Sequence, residues 1–277
     1  MSATRTGGYP IGFRRGGGEW QKDLAALIAW ARENGFGAMD LNRDGDRAGR
    51  AVAAAGLRIG SVDLAEWQPM LSPDAGKRRE AVAKNAEYVA ACAGLGAVNH
   101  FVVMLPEKAE LPRTENFGYM VESYAALAPT FERHGARLVI EGWPGPGALC
   151  CTPEGYRAFF REVPSKAMGV NYDPSHLIRM GIDPLRFLRE FAGRVYHVHG
   201  KDTELNAEGL YEFGHQQPAT FAKPPRFGGP HFRYTLPGHG VMSWTEGFRI
   251  LKENGYAGCV CVELEDANFN GTPEGER

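Results

Sequence analysis

The chain switches between two hydrophobic periods. Apolar residues three and four apart in stretches such as 79–95 and 116–134 predict amphipathic helices, and the helical stretches close near a glycine that ends them. A short β-rich run then follows. "ARENGFGAMDL" (31–41), "AAGLRIGSVDL" (54–64), "FERHGARLVIE" (131–141) and "LKENGYAGCVCVEL" (251–264) all repeat this grammar. The apolar runs show little in–out alternation, as expected of strands covered on both faces. They predict strands at 9–13, 37–40, 58–63, 98–105, 137–141, 169–173, 195–199 and 259–263. Eight strands alternating with helices in 277 residues predict a (β/α)8 barrel, an α/β TIM-barrel fold, rather than an open doubly wound sheet.

Two stretches depart from the rhythm. Residues 205–240, rich in Gly, Pro, His and aromatics, show no clear period and are too long for a simple strand–helix connection. They read as a loop covering the C-terminal face of a single domain, residues 1–277. The tail "NFNGTPEGER" reads as frayed.

Composition narrows the picture. With 43% apolar residues the chain can bury a large core. A net charge of −2 and a pI near 6.5 give no electrostatic reason to expect nucleic acid or an anionic membrane as a partner. No run of about 18 apolar residues is present, and the N-terminal stretch lacks the apolar core of a leader, so the expectation is a cytoplasmic protein. Five cysteines, two adjacent and two alternating on one strand, make no disulfide framework and read as reduced packing residues.

"DLNRDGDRAGRA" (40–51) begins like a calcium loop, but its twelfth position is Ala51 rather than glutamate and a strand precedes it, so it reads as a turn. "RRGGGEW" (14–20) is at most a weak phosphate cradle and otherwise a flexible turn.

The chemistry gathers where the later strands end. "RLVIEGWPG" ends on Glu141, "GVNYDPSH" on Asp173, "RVYHVHGKD" on His199, and "CVCVELED" carries Glu263 near its end. Residues two apart in a strand share a face, so these four side chains can point inward together at the C-terminal rim, where barrels of this kind hold their chemistry. Three crowded carboxylates repel unless a cation neutralises them. Three oxygen donors with one imidazole suit Mn2+ first, with Mg2+, Co2+, Fe2+ or Zn2+ as alternatives. Of the two strand histidines, His197 reads as a satisfied core residue.

"VIEGWPG", "NYDPSHL", "YHVHGKD" and "CVELED", with "LPGHGVMSW" at 236–244, resemble the strand ends and last loop of the xylose isomerase-like barrel superfamily, over about residues 9 to 266. That superfamily includes sugar isomerases and epimerases, inosose dehydratase and the endonuclease IV group. The resemblance implies that Glu141, Asp173, His199 and Glu263 bind the metal, that His176 and Lys201 contact substrate oxygens, and that Glu141 and Glu263 also move protons. The chain departs from ketose 3-epimerases after its strand-seven histidine: it reads "GKDTEL", with Leu205 where an arginine is expected, and so looks closer to inosose dehydratase.

The reading is a divalent-metal-dependent sugar isomerase or epimerase acting on a ketose-type substrate. The alternative is a lyase or dehydratase acting on an inosose or 3-keto-sugar, with a non-catalytic sugar-binding protein behind both. Trp67 and Trp143 are candidates to stack on a sugar at the barrel mouth. A small sugar or cyclitol is the expected partner, and a homo-oligomer is compatible with the sequence. Strands one to three bring no histidine for a trinuclear zinc site, which argues against DNA repair.

Overall fold

The computed structural model describes residues 7–96 and 99–277. The predicted start of strand four at Val98, and residues 1–6 of the N-terminal stretch, lie outside the described residues. In chain order the strands are β1 (Ile11–Arg14), β2 (Ala38–Leu41), β3 (Arg58–Asp63), β4 (Asn99–Val103), β5 (Arg137–Glu141), β6 (Met168–Tyr172) and β7 (Val195–Gly200). After them come the short strands β8 (Asp202–Leu205), β9 (Gly228–Gly229) and β10 (Phe232–Thr235), and finally β11 (Val260–Val262). β1–β7 and β11 close a parallel barrel in the order β1-β11-β7-β6-β5-β4-β3-β2. This is the predicted (β/α)8 architecture.

The surrounding helices are α1 (Leu24–Glu33), α2 (Gly45–Ala54), α3 (Ala75–Ala93), α4 (Arg113–Arg133), α5 (Pro153–Glu162), α6 (Pro174–Arg179), α7 (Pro184–Phe191), α8 (Ala207–Phe213), α9 (Trp244–Glu253) and α10 (Pro273–Glu276). Glycine follows most of them as the sequence predicts, although α5 is followed by Val163. Gly135 after α4 and Gly255 after α9 take φ of 61° and 73°, a region that side chains with a Cβ rarely enter. Among the described residues no helix is long and apolar enough to cross a membrane.

Strand alternation decides what faces the barrel axis. Leu138, Ile140, Val170, Val198 and Val260 are buried in the main core with helix residues such as Leu127, Phe131, Phe159 and Phe187. Burying each such side chain stabilises the fold by about 1.5–3 kcal/mol. With those residues turned outward, Glu141, Asn171, His197, His199 and Cys261 are turned inward. A second core under β1–β3 packs Phe13, Met39 and Ile59 against Leu27, Ala48 and Val52 of α1 and α2. The bottom of the barrel is narrow. A Cβ on Gly12 would lie 2.6 Å from Cys261 Sγ and 2.7 Å from Ala38 Cβ, so only glycine fits there. All five cysteines are free and buried.

Three expectations change. The segment 205–240 is not structureless: α8 lies in it, and β10 pairs antiparallel with β8 and β9 to build a small sheet. Strands this short, paired across a long connection, leave no local period. Asp173 does not close β6 but caps α6, its Oδ1 accepting from Ser175 N at 2.9 Å, because Pro174 starts a helix at once. The tail ends in α10 rather than fraying, and Trp20 Nε1 donates to Glu276 at 2.8 Å.

Candidate metal centre

Glu141 ends β5 opposite Asn171 of β6, whose Nδ2 donates to Glu141 Oε2 at 2.8 Å. The same oxygen lies 2.6 Å from Nδ1 of His199 on β7. That nitrogen is also 3.4 Å from Glu263 Oε2, just past β11, and 3.9 Å from Asp173 Oδ2. One imidazole nitrogen therefore faces all three carboxylates expected from the strand ends. Ligand atoms of Glu141, Asp173, His176 and Glu263 also lie within 4.8 Å of one another. The cluster thus gains a histidine that the sequence had placed against substrate: His176 Nε2 is 3.3 Å from Glu141 and 3.4 Å from Asp173.

Lys201 follows β7 and is buried at 1% exposure. Its Nζ lies 2.5 Å from Glu263, 2.9 Å from Glu265 and 3.2 Å from Asp173. Tyr234 of β10 reaches in from the segment 205–240: its hydroxyl is 2.8 Å from His176 Nδ1 and accepts from Arg179 Nη1 at 2.9 Å. Arg14, at the end of β1, bridges Asp63 at 2.9 Å and Glu263 at 3.2 Å. Trp67 and Trp143 line a cavity of about 250 Å3 together with Arg14, Asp63 and Phe101.

The electrostatics are lopsided. Among the described residues Asp63, Asp173, Glu263 and Glu265 pair with two permanent cations, Arg14 and Lys201, whereas Asp40 and Glu141 pair with histidines alone. Burial and the Glu263 charge push the Glu141 carboxyl up, but His199 and His176 outweigh them and hold it below its usual range. Glu263 is held well down against burial by Lys201 and His199. Burial would lower His199, yet Glu263 and Glu141 raise it well above an ordinary histidine. The cluster thus draws positive charge from every group able to supply it.

Asp173 Oδ2 is buried, faces this centre and makes no well-formed hydrogen bond. That oxygen, 3.2 Å from Lys201 Nζ and 3.4 Å from His176 Nε2, already attracts positive charge, and beside two further carboxylates and an imidazole nitrogen it completes a donor set that fits a hard divalent cation. His197 does not share in the centre: its Nε2 donates to Asp40 at 2.9 Å, as its reading as a satisfied core residue requires.

Sequence reading passed over Arg14, Asp40 and Asp63. They stand at or next to the ends of β1, β2 and β3, and the strand-end rule that finds Glu141 also finds them. The calcium-like spacing after Asp40 and the glycine run after Arg14 drew those residues into other patterns. Tyr234 carried no local signal.

A closed parallel barrel with acids and a histidine at the C-terminal ends of its later strands defines the class. The chain belongs to the xylose isomerase-like TIM barrel family, whose model matches residues 28–277. Among curated proteins it is 35% identical over 118 residues to the uncharacterized protein YfiH of Bacillus subtilis, covering 40% of this chain and 35% of that protein. It is 33% identical over 102 residues to an inosose dehydratase of Clostridium tetani, covering 37% and 32%. These matches span about a third of the length of those relatives. Among solved structures, the E. coli 3-keto-D-glucoside 4-epimerase YcjR in its apo form superposes with a TM-score of 0.69 at 14% identity, covering 96% of this chain and 95% of that one. An L-ribulose 3-epimerase gives 0.64 at 18% identity, covering 93% and 81%. The IOLI protein with a bound zinc atom gives 0.62 at 16% identity, covering 96% and 90%. At these identities the structures show a shared fold.

Proposed function

We propose that the protein is a divalent-metal-dependent isomerase or epimerase of a ketose-type sugar. The observation that carries this reading is the placing of Glu141 and Glu263, from strands on either side of the barrel axis, within 2.6 and 3.4 Å of the same His199 nitrogen. Glu141, Asp173, His199 and Glu263 would hold the ion, with His176 alongside and Mn2+ as the first candidate. When bound, such an ion supplies Lewis-acid polarisation of a carbonyl and its neighbouring hydroxyl, which acidifies the C–H between them.

The chain's own residues then divide the work. One glutamate takes the proton from carbon while the other returns a proton to the opposite face or to the adjacent carbon. Lys201 and His176, tied to these carboxylates, donate hydrogen bonds to substrate oxygens. Tyr234 holds the His176 ring from the segment 205–240, which covers the mouth and keeps bulk water from the reacting carbon. Trp67 and Trp143 offer apolar faces to a sugar ring.

A second reading has its own support: the named curated relatives, at about a third of their length, include inosose dehydratases. Dehydration shares the first proton abstraction and then needs an acid beside the departing hydroxide. The Lys201 ammonium, 2.5 Å from Glu263, would supply that acid.

Proton NMR of ketoses, inososes and 3-keto-sugars incubated with Mn2+-loaded enzyme in D2O, with metal removed before acquisition, tests both readings. Deuterium beside the carbonyl with an accumulating epimer or isomer supports the first. Loss of a hydroxyl with an unsaturated product replaces it with the second. No exchange across the panel contradicts both.

A further inference from the structure

Below the carboxylates lies a second polar cluster, Asp40, His197 and His199, whose ligand atoms again fall within 4.8 Å of one another. Asp40 is fully buried near the end of β2. Its Oδ2 accepts from His197 Nε2 at 2.9 Å and lies 3.4 Å from His199 Nε2. Nε2 of His199 has no well-formed hydrogen bond of its own, and Asp40 Oδ2 faces it. The barrel is cut away to admit this carboxylate: a Cβ on Gly60 of β3 would lie 2.3 Å from Asp40 Oδ1 and 2.9 Å from His197 Cε1. The Phe101 ring, centred 5.3 Å from the His199 ring and inclined by 30° to it, covers one face of the imidazole.

We infer that Asp40 is a positioning residue that sets the tautomer of His199. A neutral imidazole carries one N–H, so its two nitrogens cannot both donate. With the proton on Nδ1, the Nε2 lone pair would face the Asp40 carboxylate at 3.4 Å, and Nδ1 would have no electrons to offer a cation. With the proton on Nε2, the N–H points at Asp40 and the Nδ1 lone pair is directed at the centre shared with Glu141, Asp173 and Glu263. Glu141, 2.6 Å from Nδ1, would equally accept a proton there, but once an ion takes up the Nδ1 side the Asp40 anion, which cannot donate, selects the second form. A carboxylate behind a ligating histidine fixes both ring orientation and donor strength. His197 donates to the same oxygen from the far side, so the buried charge of Asp40 is balanced while it serves His199. The residue that opens the calcium-like stretch thus acts from inside the barrel. The inference rests on the metal site proposed above.

The test uses the full chain labelled with 15N-histidine and loaded with Zn2+, which is diamagnetic, together with calorimetric titration of Zn2+ and Mn2+. In wild type, long-range 1H–15N correlations of His199 should show a protonated Nε2 and a metal-shifted Nδ1. In Asp40→Asn the amide NH2 can turn toward Nε2 and select the opposite tautomer. Affinity should then fall about 10–100-fold and the His199 pattern should change, while circular dichroism stays native. Should Asp40→Asn fail to fold, the wild-type spectrum still decides: a protonated Nδ1 overturns the inference. So does an Asp40→Asn protein that binds metal as wild type does with the same His199 signals, and that result leaves the metal site itself standing. A wild-type chain that takes up neither ion overturns the metal site and this inference together.

Discussion

His199 Nδ1 and Glu141 Oε2 lie 2.6 Å apart, joining β7 to β5 past the intervening β6 at the mouth of the barrel. The contact brings a proton-transfer candidate against the imidazole that would ligate the ion, so binding and chemistry share one oxygen. Glu141→Gln keeps the shape but loses the base, and it should lower kcat by about 10²–10⁴-fold. Glu263→Gln should fall as far, because each step of proton removal and return needs its own carboxylate. Steady-state kinetics of the two variants check this. Near-wild-type turnover in either would remove that residue from the chemistry.

Asp173 serves two masters through separate oxygens. Oδ1 caps α6, accepting from Ser175 N at 2.9 Å and Ser175 Oγ at 2.6 Å, while Oδ2 faces the centre. Asparagine is as good an N-cap as aspartate but lacks the charge for a hard cation. Asp173→Asn should therefore melt within a few degrees of wild type yet lose turnover by two orders of magnitude or more. Thermal denaturation beside activity assays separates the roles; a collapse of stability with no loss of turnover per folded molecule would contradict this division.

Tyr234 ties the small β8–β10 sheet to the site through its hydroxyl, 2.8 Å from His176 Nδ1. Tyr234→Phe removes that bond and little volume. The His176 ring would then be held less firmly, and kcat/KM should drop about tenfold, in line with about 1–1.5 kcal/mol for one buried hydrogen bond. Kinetics on the purified variant check the value, and no change would mean that the contact does not position His176.

Protonation of His197 links stability to pH. Burial lowers its pKa, but Asp40 outweighs burial and raises it to about 9, above the 6.5 of an unfolded histidine. A folded value above the unfolded one contributes stability that is complete below pH 6.5 and lost as pH rises through about 9. Metal-stripped protein should therefore lose on the order of a few kcal/mol between those values. His197→Gln should flatten that decline. Melting curves across this range, wild type against variant, decide it, and parallel curves would show that His197 is not the group responsible.

Much of this was written in local pattern. Glu141, His199 and Glu263 were legible because strand alternation fixes their direction once neighbours such as Ile140, Val198 and Val260 are outward. Asp173 was legible as a residue but not as a cap, since Pro174 turns strand into helix within one step. Asp40 escaped because its partners, His197 and His199, lie more than 150 residues away and meet it only when β11 and β1 close the barrel between β7 and β2. Arg14 and Glu263 meet for the same reason, through the pairing of β1 with β11. The β8–β10 pairing is likewise non-local, and four-residue strands give too little pattern to find from sequence.

The central claim is that the carboxylate–histidine cluster works only around a divalent ion, and the most direct measurement follows proton–deuterium exchange against metal occupancy. Chelator-stripped protein would be titrated with Mn2+ in D2O, with bound metal counted by mass spectrometry and deuterium in the substrate read by NMR at each point. The account predicts no exchange in stripped protein and a rise that saturates at one ion per chain. Full exchange without metal, or saturation with ions bound and no exchange for any ketose, inosose or 3-keto-sugar, would contradict it.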